Sequence, residues 1–314
     1  MVTCDNTLLP ESINAHDLLL QERLQDYVRA ATSDSTRRAY RNDLTHFKDW
    51  GGTIPCSPQL LCDYLVTYAH QLAVSTLQRR LAAISRAHNT LGFSNPVQTE
   101  MVRVTMRGIR RKHGTAQRQA RPLVKEDILL MLTAMDNGLK AQRDAALLLI
   151  GFCGAFRRSE LVGLNVEDLE YVREGLIIHL RHSKTDQAGE GRKLAIPYGR
   201  GHICPVKSLQ GWLEASTITS GPIFRPMTKG NQVQAQRLSE SAVACIIKER
   251  AEVVGITSEG VSGHSLRAGL ATSAAQHGIS THKIRQQTGH ASDAMLSRYI
   301  RDGDLFNGSA GGLF

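Results

Sequence analysis

With 314 residues, 41% of them hydrophobic and 21% charged, the chain has apolar material for two cores and too much of it for global disorder. Its formal net charge of +9 favours a polyanionic partner. No apolar run of about 18 residues is present, which excludes an obvious membrane span, and the opening MVTCDNTLLPESINAHD lacks the basic start and apolar stretch of a secretory signal, so a cytoplasmic protein is expected.

Residues 12–112 read as helices with little strand signal. Ser35 is a candidate cap for a helix carrying Tyr40, Leu44 and Phe47 on one side. Ser57-Pro58 is a helix start, with Leu61, Tyr64, Leu65 and Tyr68 as the apolar stripe. STLQ at 75–78 has capping-box spacing, with Leu77, Leu81, Ile84 and Leu91 as the apolar stripe. A helix over about 98–112 puts Val102, Met106 and Ile109 on one side and Arg103, Arg107, Arg110 and Arg111 largely on the other.

From Arg79 to Arg121 there are ten Lys or Arg and one acid, Glu100. A solvated helix face usually mixes signs, so this stretch reads as a phosphate-contacting surface. The DNA-contact candidates are Arg79, Arg80, Arg86, Arg103, Arg107, Arg110, Arg111, Lys112, Arg118 and Arg121. Residues 113–122, HGTAQRQARP, lose apolar periodicity and read as a basic linker. The division is therefore 1–112, a helical N-terminal domain, then the linker 113–122, then a second domain over 123–314.

Beyond the linker, helices are expected at about 124–136 and 140–153. GLIIHLR (175–181) and RKLAIP (192–197) read as two strands joined by the turn HSKTDQAGEG. Further helices are expected near 205–215, 239–254, 265–277, 281–287 and 292–301. The fold class is mainly α with a small antiparallel β-sheet in the second domain, α+β. The cysteines, Cys4, Cys56, Cys62, Cys153, Cys204 and Cys245, have neither disulfide-framework nor zinc spacing. No metal and no cofactor is expected.

Four stretches carry residues suited to chemistry. In GAFRRSELVGL (154–164), Arg157 and Glu160 are three apart and should share a helix face. Phe156, Leu161 and Leu164 imply that this segment packs inward, where an arginine needs an anionic partner. In RHSKTDQ (181–187), Lys184 falls at a hairpin tip. SGHSLRAGLA (262–271) puts His264 and Arg267 at a helix start. TGHASDAMLSRY (288–299) ends one helix at Gly289, leaves His290 in the turn, and carries Tyr299 on the next. Each alone has an ordinary structural explanation. Together, cations to offset phosphate charge, a proton donor and a phenol make a set for phosphoryl transfer without metal.

The order R-x-S-E-L, hairpin lysine, H-x-x-R, G-H and a tyrosine nine residues later resembles the tyrosine recombinases, the family of phage integrases, Xer-type recombinases and Cre. MRGIRRK (106–112), SGHSLRAG (262–269) and RYIRDGD (298–304) look most like the Cre-like branch. The resemblance implies a tyrosine-recombinase catalytic fold in the second domain, a core-binding first domain, and a two-domain, C-shaped DNA clamp. It implies that Arg157, Arg267 and His290 hold the scissile phosphate, His264 assists proton transfer, Glu160 orients its neighbours and Lys184 protonates the leaving 5′-hydroxyl. Tyr299 would form a 3′-phosphotyrosine link.

The implied partners are double-stranded DNA with inverted repeats around a spacer, three further copies of the chain forming a tetramer on two sites, and accessory proteins in some systems; the implied location is the nucleoid. A type IB topoisomerase and a non-catalytic DNA-binding regulator on the same fold remain the alternatives.

Overall fold

The computed structural model describes residues 15–115, 119–181, 191–199, 203–289 and 296–297. The chain divides into two compact units, Met1–Gln117 and Arg118–Phe314.

The first unit is helical: α1 Ala15–Ala30, α2 Asp34–Asp49, α3 Pro58–Tyr68, α4 Val74–Thr90 and α5 Glu100–His113. Its core gathers Phe47, Leu61, Tyr64, Leu65, Leu77, Ile84, Val102 and Met106 from four of these helices. Helix α3 starts as its sequence implies, with Ser57 Oγ accepting from the Leu60 N–H at 3.2 Å. The cap of α2 is Ser33 and not Ser35: its extended backbone lets Oγ accept from the Thr36 N–H at 3.3 Å. Helix α4 begins one residue before STLQ, so Ser75 falls inside the first turn and forms no capping box. Leu91, expected on the apolar stripe, closes that helix and is exposed.

Two of the arginines expected on the basic surface are committed within this unit. Arg80 is only 8% exposed. Its Nη1 donates to the Tyr64 hydroxyl at 2.9 Å, and its Nε lies 3.6 Å from Asp43. Arg79 makes a two-pronged bond to the same buried carboxylate, at 2.8 and 2.9 Å, while remaining half-exposed. An unpaired carboxylate in a core is costly, so Asp43 fixes these two residues as its counter-charges. Arg80 is a core residue and does not belong to the DNA-contact set.

The second unit is α+β: α6 Lys125–Thr133, α7 Leu139–Cys153, α8 Arg158–Gly163, β1 Leu169–Val172, β2 Gly175–Leu180, β3 Arg192–Pro197, α9 Pro205–Ala215, α10 Glu240–Val253, α11 Ser265–Gln276 and α12 Thr281–Thr288. The sheet is antiparallel in the order β1-β2-β3. Leu176 faces Ile196 and Ile178 faces Leu194, and all four are buried. Strand β1 was not expected. Its LEYV sequence is short, and the middle residues Glu170 and Tyr171 are exposed, so no buried alternation marks it. Helix α7 is buried nearly all round from Ala146 to Phe152, as a central helix must be.

Helix α11 passes close to the chain entering this unit. Leu123 N–H donates to the Ser265 carbonyl at 3.1 Å, and Lys125 N–H to Ser273 Oγ at 3.0 Å. Gly269 makes the approach feasible, since a Cβ there would lie 1.7 Å from the Leu123 carbonyl oxygen. Among the described residues, no helix is long and apolar enough to cross a membrane.

Candidate functional site

The turn between α7 and α8, residues 153–157, is the point on which the candidate site is assembled. Gly154 follows the helix end, and Ala155 takes a left-handed φ of 47°, sparsely populated for a residue with a Cβ. That conformation reverses the chain and leaves the Ala155 carbonyl as an inward-facing acceptor. Arg267, one turn into α11 and 3% exposed, donates to it from Nη1 at 2.9 Å. The strained backbone thus seats a buried guanidinium drawn from 112 residues further along the chain.

Arg157 is the N-cap of α8, not a member of its face. Its backbone N–H donates to Glu160 Oε2 at 2.9 Å, and its Nη1 donates to Oε1 at 2.6 Å. The three-residue spacing therefore works as a side-chain cap plus an ion pair, stronger than the exposed helical pair that spacing alone suggests. Burial pushes the Glu160 carboxyl up, but the hydrogen bonds from Arg157 and the charges of Arg157 and Arg192 outweigh it and hold the group below the ordinary carboxylate range. Arg157 Nη2 also reaches the Gly289 carbonyl at 3.4 Å. Gly289 closes α12 in the left-handed region, with φ at 63°, where a glycine carries no Cβ penalty.

Helix α12 grips the same turn. Gln287 Nε2 donates to the Cys153 carbonyl at 2.7 Å and approaches the Ala195 carbonyl of β3 at 3.4 Å. Residues from α7, α8, α11, α12 and β3 thus meet around five residues of backbone. His264 is the N-cap of α11 and is exposed, while Arg267, three residues on, points inward. Leu296 is buried against Ala271 and Ala274 of α11 and Ile284 of α12, three residues before Tyr299 in sequence. Arg158, adjacent to Arg157, lies against Gly263, where a Cβ would come within 1.9 Å of its Cδ.

The structure therefore brings Arg157, Glu160 and Arg267 together, with His264 heading the same helix as Arg267. Lys184, His290, Tyr299 and Arg118 lie outside the described residues, as do the turn over 182–190 and all of the helix expected at 292–301 except Leu296 and Ser297, which are helical. On the first unit, Arg86, Arg103, Arg107, Arg110, Arg111 and Lys112 are exposed, and Arg107 pairs with Glu100 at 3.0 Å. Arg121, in the second unit, is exposed as well.

Sequence reasoning missed three parts of the site: the Ala155 carbonyl, Gln287 and Arg192. The backbone acceptor leaves no sequence signal. For Arg192 a signal existed: in RKLAIP it shares a strand face with Leu194 and Ile196, both buried, so alternation turns it inward.

Residues 121–304 match the phage integrase family. The chain is 42% identical over 288 residues to an integrase/recombinase xerD homolog of Selenomonas ruminantium, spanning 88% of this chain and 84% of that protein. It is 27% identical over 276 residues to the recombinase Cre of Escherichia phage P1, spanning 81% and 79%. A lambda integrase tetramer bound to a Holliday junction shares the fold, with a TM-score of 0.64 at 19% identity, over 94% of this chain and 79% of that one.

Proposed function

The chain belongs to the phage integrase family of tyrosine recombinases, a family of site-specific recombinases, and from that premise we propose that it cuts and rejoins DNA through a covalent bond between Tyr299 and a 3′-phosphate. The observation that supports this chemistry most is the junction at Ala155, which seats Arg267 beside the Arg157–Glu160 pair. A buried guanidinium and a half-buried one held at one strained turn are a costly arrangement for a fold alone and a suitable one for a phosphodiester.

In the proposed step, the Tyr299 phenol attacks phosphorus and the bond from phosphorus to the 5′-oxygen breaks. Arg157 and Arg267, with His290, offset charge on the non-bridging oxygens. His264 takes part in moving the phenolic proton, and Lys184 donates one to the departing 5′-oxygen. Glu160 holds Arg157. A 5′-hydroxyl from a second duplex then attacks the phosphotyrosine, restores the phosphodiester and releases the phenol. Bond energy is conserved in the tyrosyl ester, so neither ATP nor a metal-bound nucleophile is required.

Residues 1–112 act as the core-binding domain, 113–122 as a basic strap and 123–314 as the catalytic domain. Arg86, Arg103, Arg107, Arg110, Arg111, Lys112, Arg118 and Arg121 contact phosphates, and Arg79 joins them only through its exposed part. The target is a site with inverted repeats around a spacer. Four copies assemble on two such sites, as the lambda integrase tetramer does on a Holliday junction, with or without accessory proteins, at the nucleoid in the cytoplasm. The higher identity to the xerD homolog than to Cre, 42% against 27%, favours a Xer-like branch over the Cre-like one that the short motifs resemble.

Incubation with DNA carrying the site separates this reading from a topoisomerase. Recombination predicts joined products from two duplexes. Relaxation of any supercoiled DNA without exchange would favour the topoisomerase.

A further inference from the structure

We propose that Arg192 is a positioning residue for strand cleavage: by sharing the Glu160 carboxylate with Arg157 and supporting the backbone at Gly289, it fixes the direction of the Arg157 guanidinium. This rests on the chemistry proposed above and adds a residue to it.

Arg192 opens β3 opposite Leu180, on the face that carries buried Leu194 and Ile196. Its guanidinium is therefore directed under the site, not into solvent. Nη1 donates to the Gln287 carbonyl at 3.3 Å, and Nη2 lies 3.9 Å from Glu160 Oε2. The group rests against Gly289, where a Cβ would come within 2.3 Å of Nη1. Arg157 touches the same two partners from its own side, Glu160 Oε1 and the Gly289 carbonyl. The two arginines thus bracket one carboxylate and one glycine.

Stability alone does not account for this arrangement. Nε and Nη2 of Arg192 are buried without a hydrogen-bond partner among the described residues. Unmet donors on a buried cation are unfavourable, and burial, partly offset by Glu160 and reinforced by the charge of Arg157, lowers the proton affinity of Arg192. Two guanidinium charges around one carboxylate leave a net positive charge. That charge is favourable when a phosphate arrives, and Arg192 confines the Glu160 carboxylate that orients Arg157. Arg192 also ties β3, which follows the Lys184 segment in sequence, to the end of α12, which precedes His290.

The test uses the full chain. Wild-type protein is incubated with fragmented DNA from the encoding genome, covalently captured fragments are sequenced, and the recovered site is remade as a nicked duplex. On that probe, the rate of adduct formation and the binding constant are measured for Arg192→Gln, Glu160→Gln and the double variant. The inference predicts that Arg192→Gln slows adduct formation by at least about 10-fold while affinity stays within about threefold. The double variant should be within about threefold of the slower single one, because one route is lost once.

Multiplying effects would show that Arg192 acts independently of Glu160 and would overturn the inference. So would an Arg192→Gln rate near wild type, or a loss confined to affinity. Arg192→Lys keeps the charge but not the planar fork, and serves if the Gln variant does not fold. It should still be slowed by at least about fivefold, and a wild-type rate in it would also overturn the inference. Wild-type protein that forms no adduct removes the proposed chemistry and this inference with it, whereas an active wild type with an equally active Arg192→Gln removes the inference alone.

Discussion

Glu160 shows how far three residues of spacing can be read. The R-x-S-E-L order gave the pair on an inward-packing segment but suggested a shared helix face; folding makes it a cap whose carboxylate serves Arg157 at both backbone and side chain. Removing that charge leaves the half-buried guanidinium groups of Arg157 and Arg192 without their counter-ion. Glu160→Gln is therefore expected to destabilise the protein by about 3 kcal/mol at neutral pH, read by urea unfolding. The pH dependence follows from the lowered carboxyl. A depressed folded value means that the stabilisation is full above the ordinary glutamate value of about 4.3 and is lost as pH falls through the folded value. The difference between wild type and variant should narrow as pH is lowered from about 5 towards 2, and a constant difference across that range would contradict this reading. Arg80 shows the opposite limit. Its neighbour Arg79 is basic and half-exposed, and nothing local reveals that Asp43, on another helix, claims it.

Helices were legible wherever an apolar face repeats, as on α3 and α5, and the starts of α2 and α4 were not. Ser33 outcompetes Ser35 because of its backbone conformation, which composition does not encode. Strand β1 escaped notice because it is exposed at its centre, and α11 hides a requirement that only packing reveals. Gly269→Ala places a methyl against the Leu123 carbonyl, a backbone atom that cannot swing aside. It should cost about 3 kcal/mol or more, seen as a lowered melting temperature; an unchanged one would mean that α11 and residue 123 separate freely. On α5, the basic face makes a quantitative prediction. Replacing Arg103, Arg110 and Arg111 one at a time by Ala should each reduce the slope of log affinity against log salt by about 1. A slope that stays at its wild-type value would remove α5 from the phosphate-contacting surface. Arg80→Ala should instead destabilise the first unit.

At the scale of the molecule, a loss of apolar periodicity over 113–122 marks the expected linker, and the chain divides into compact units at 117/118, each with its own apolar core. Cleavage between His113 and Pro122 should therefore release two fragments that each unfold cooperatively; a fragment that collapses on release would show that its core depends on the other unit. The proposed catalytic set was read from rare residue types in a fixed order. Its supports were not, since the Ala155 carbonyl, Gln287 and Arg192 matter through geometry that forms only on folding. The central claim is that the phenol of Tyr299 becomes joined to DNA, and one measurement addresses it directly. Wild-type protein is incubated with its captured site, the DNA is digested, and tryptic peptides are analysed by mass spectrometry. The account predicts a nucleotide remnant on the peptide Tyr299–Arg301, absent from Tyr299→Phe protein that still binds the site. A remnant on any other residue, or specific binding by wild type without an adduct, would contradict it.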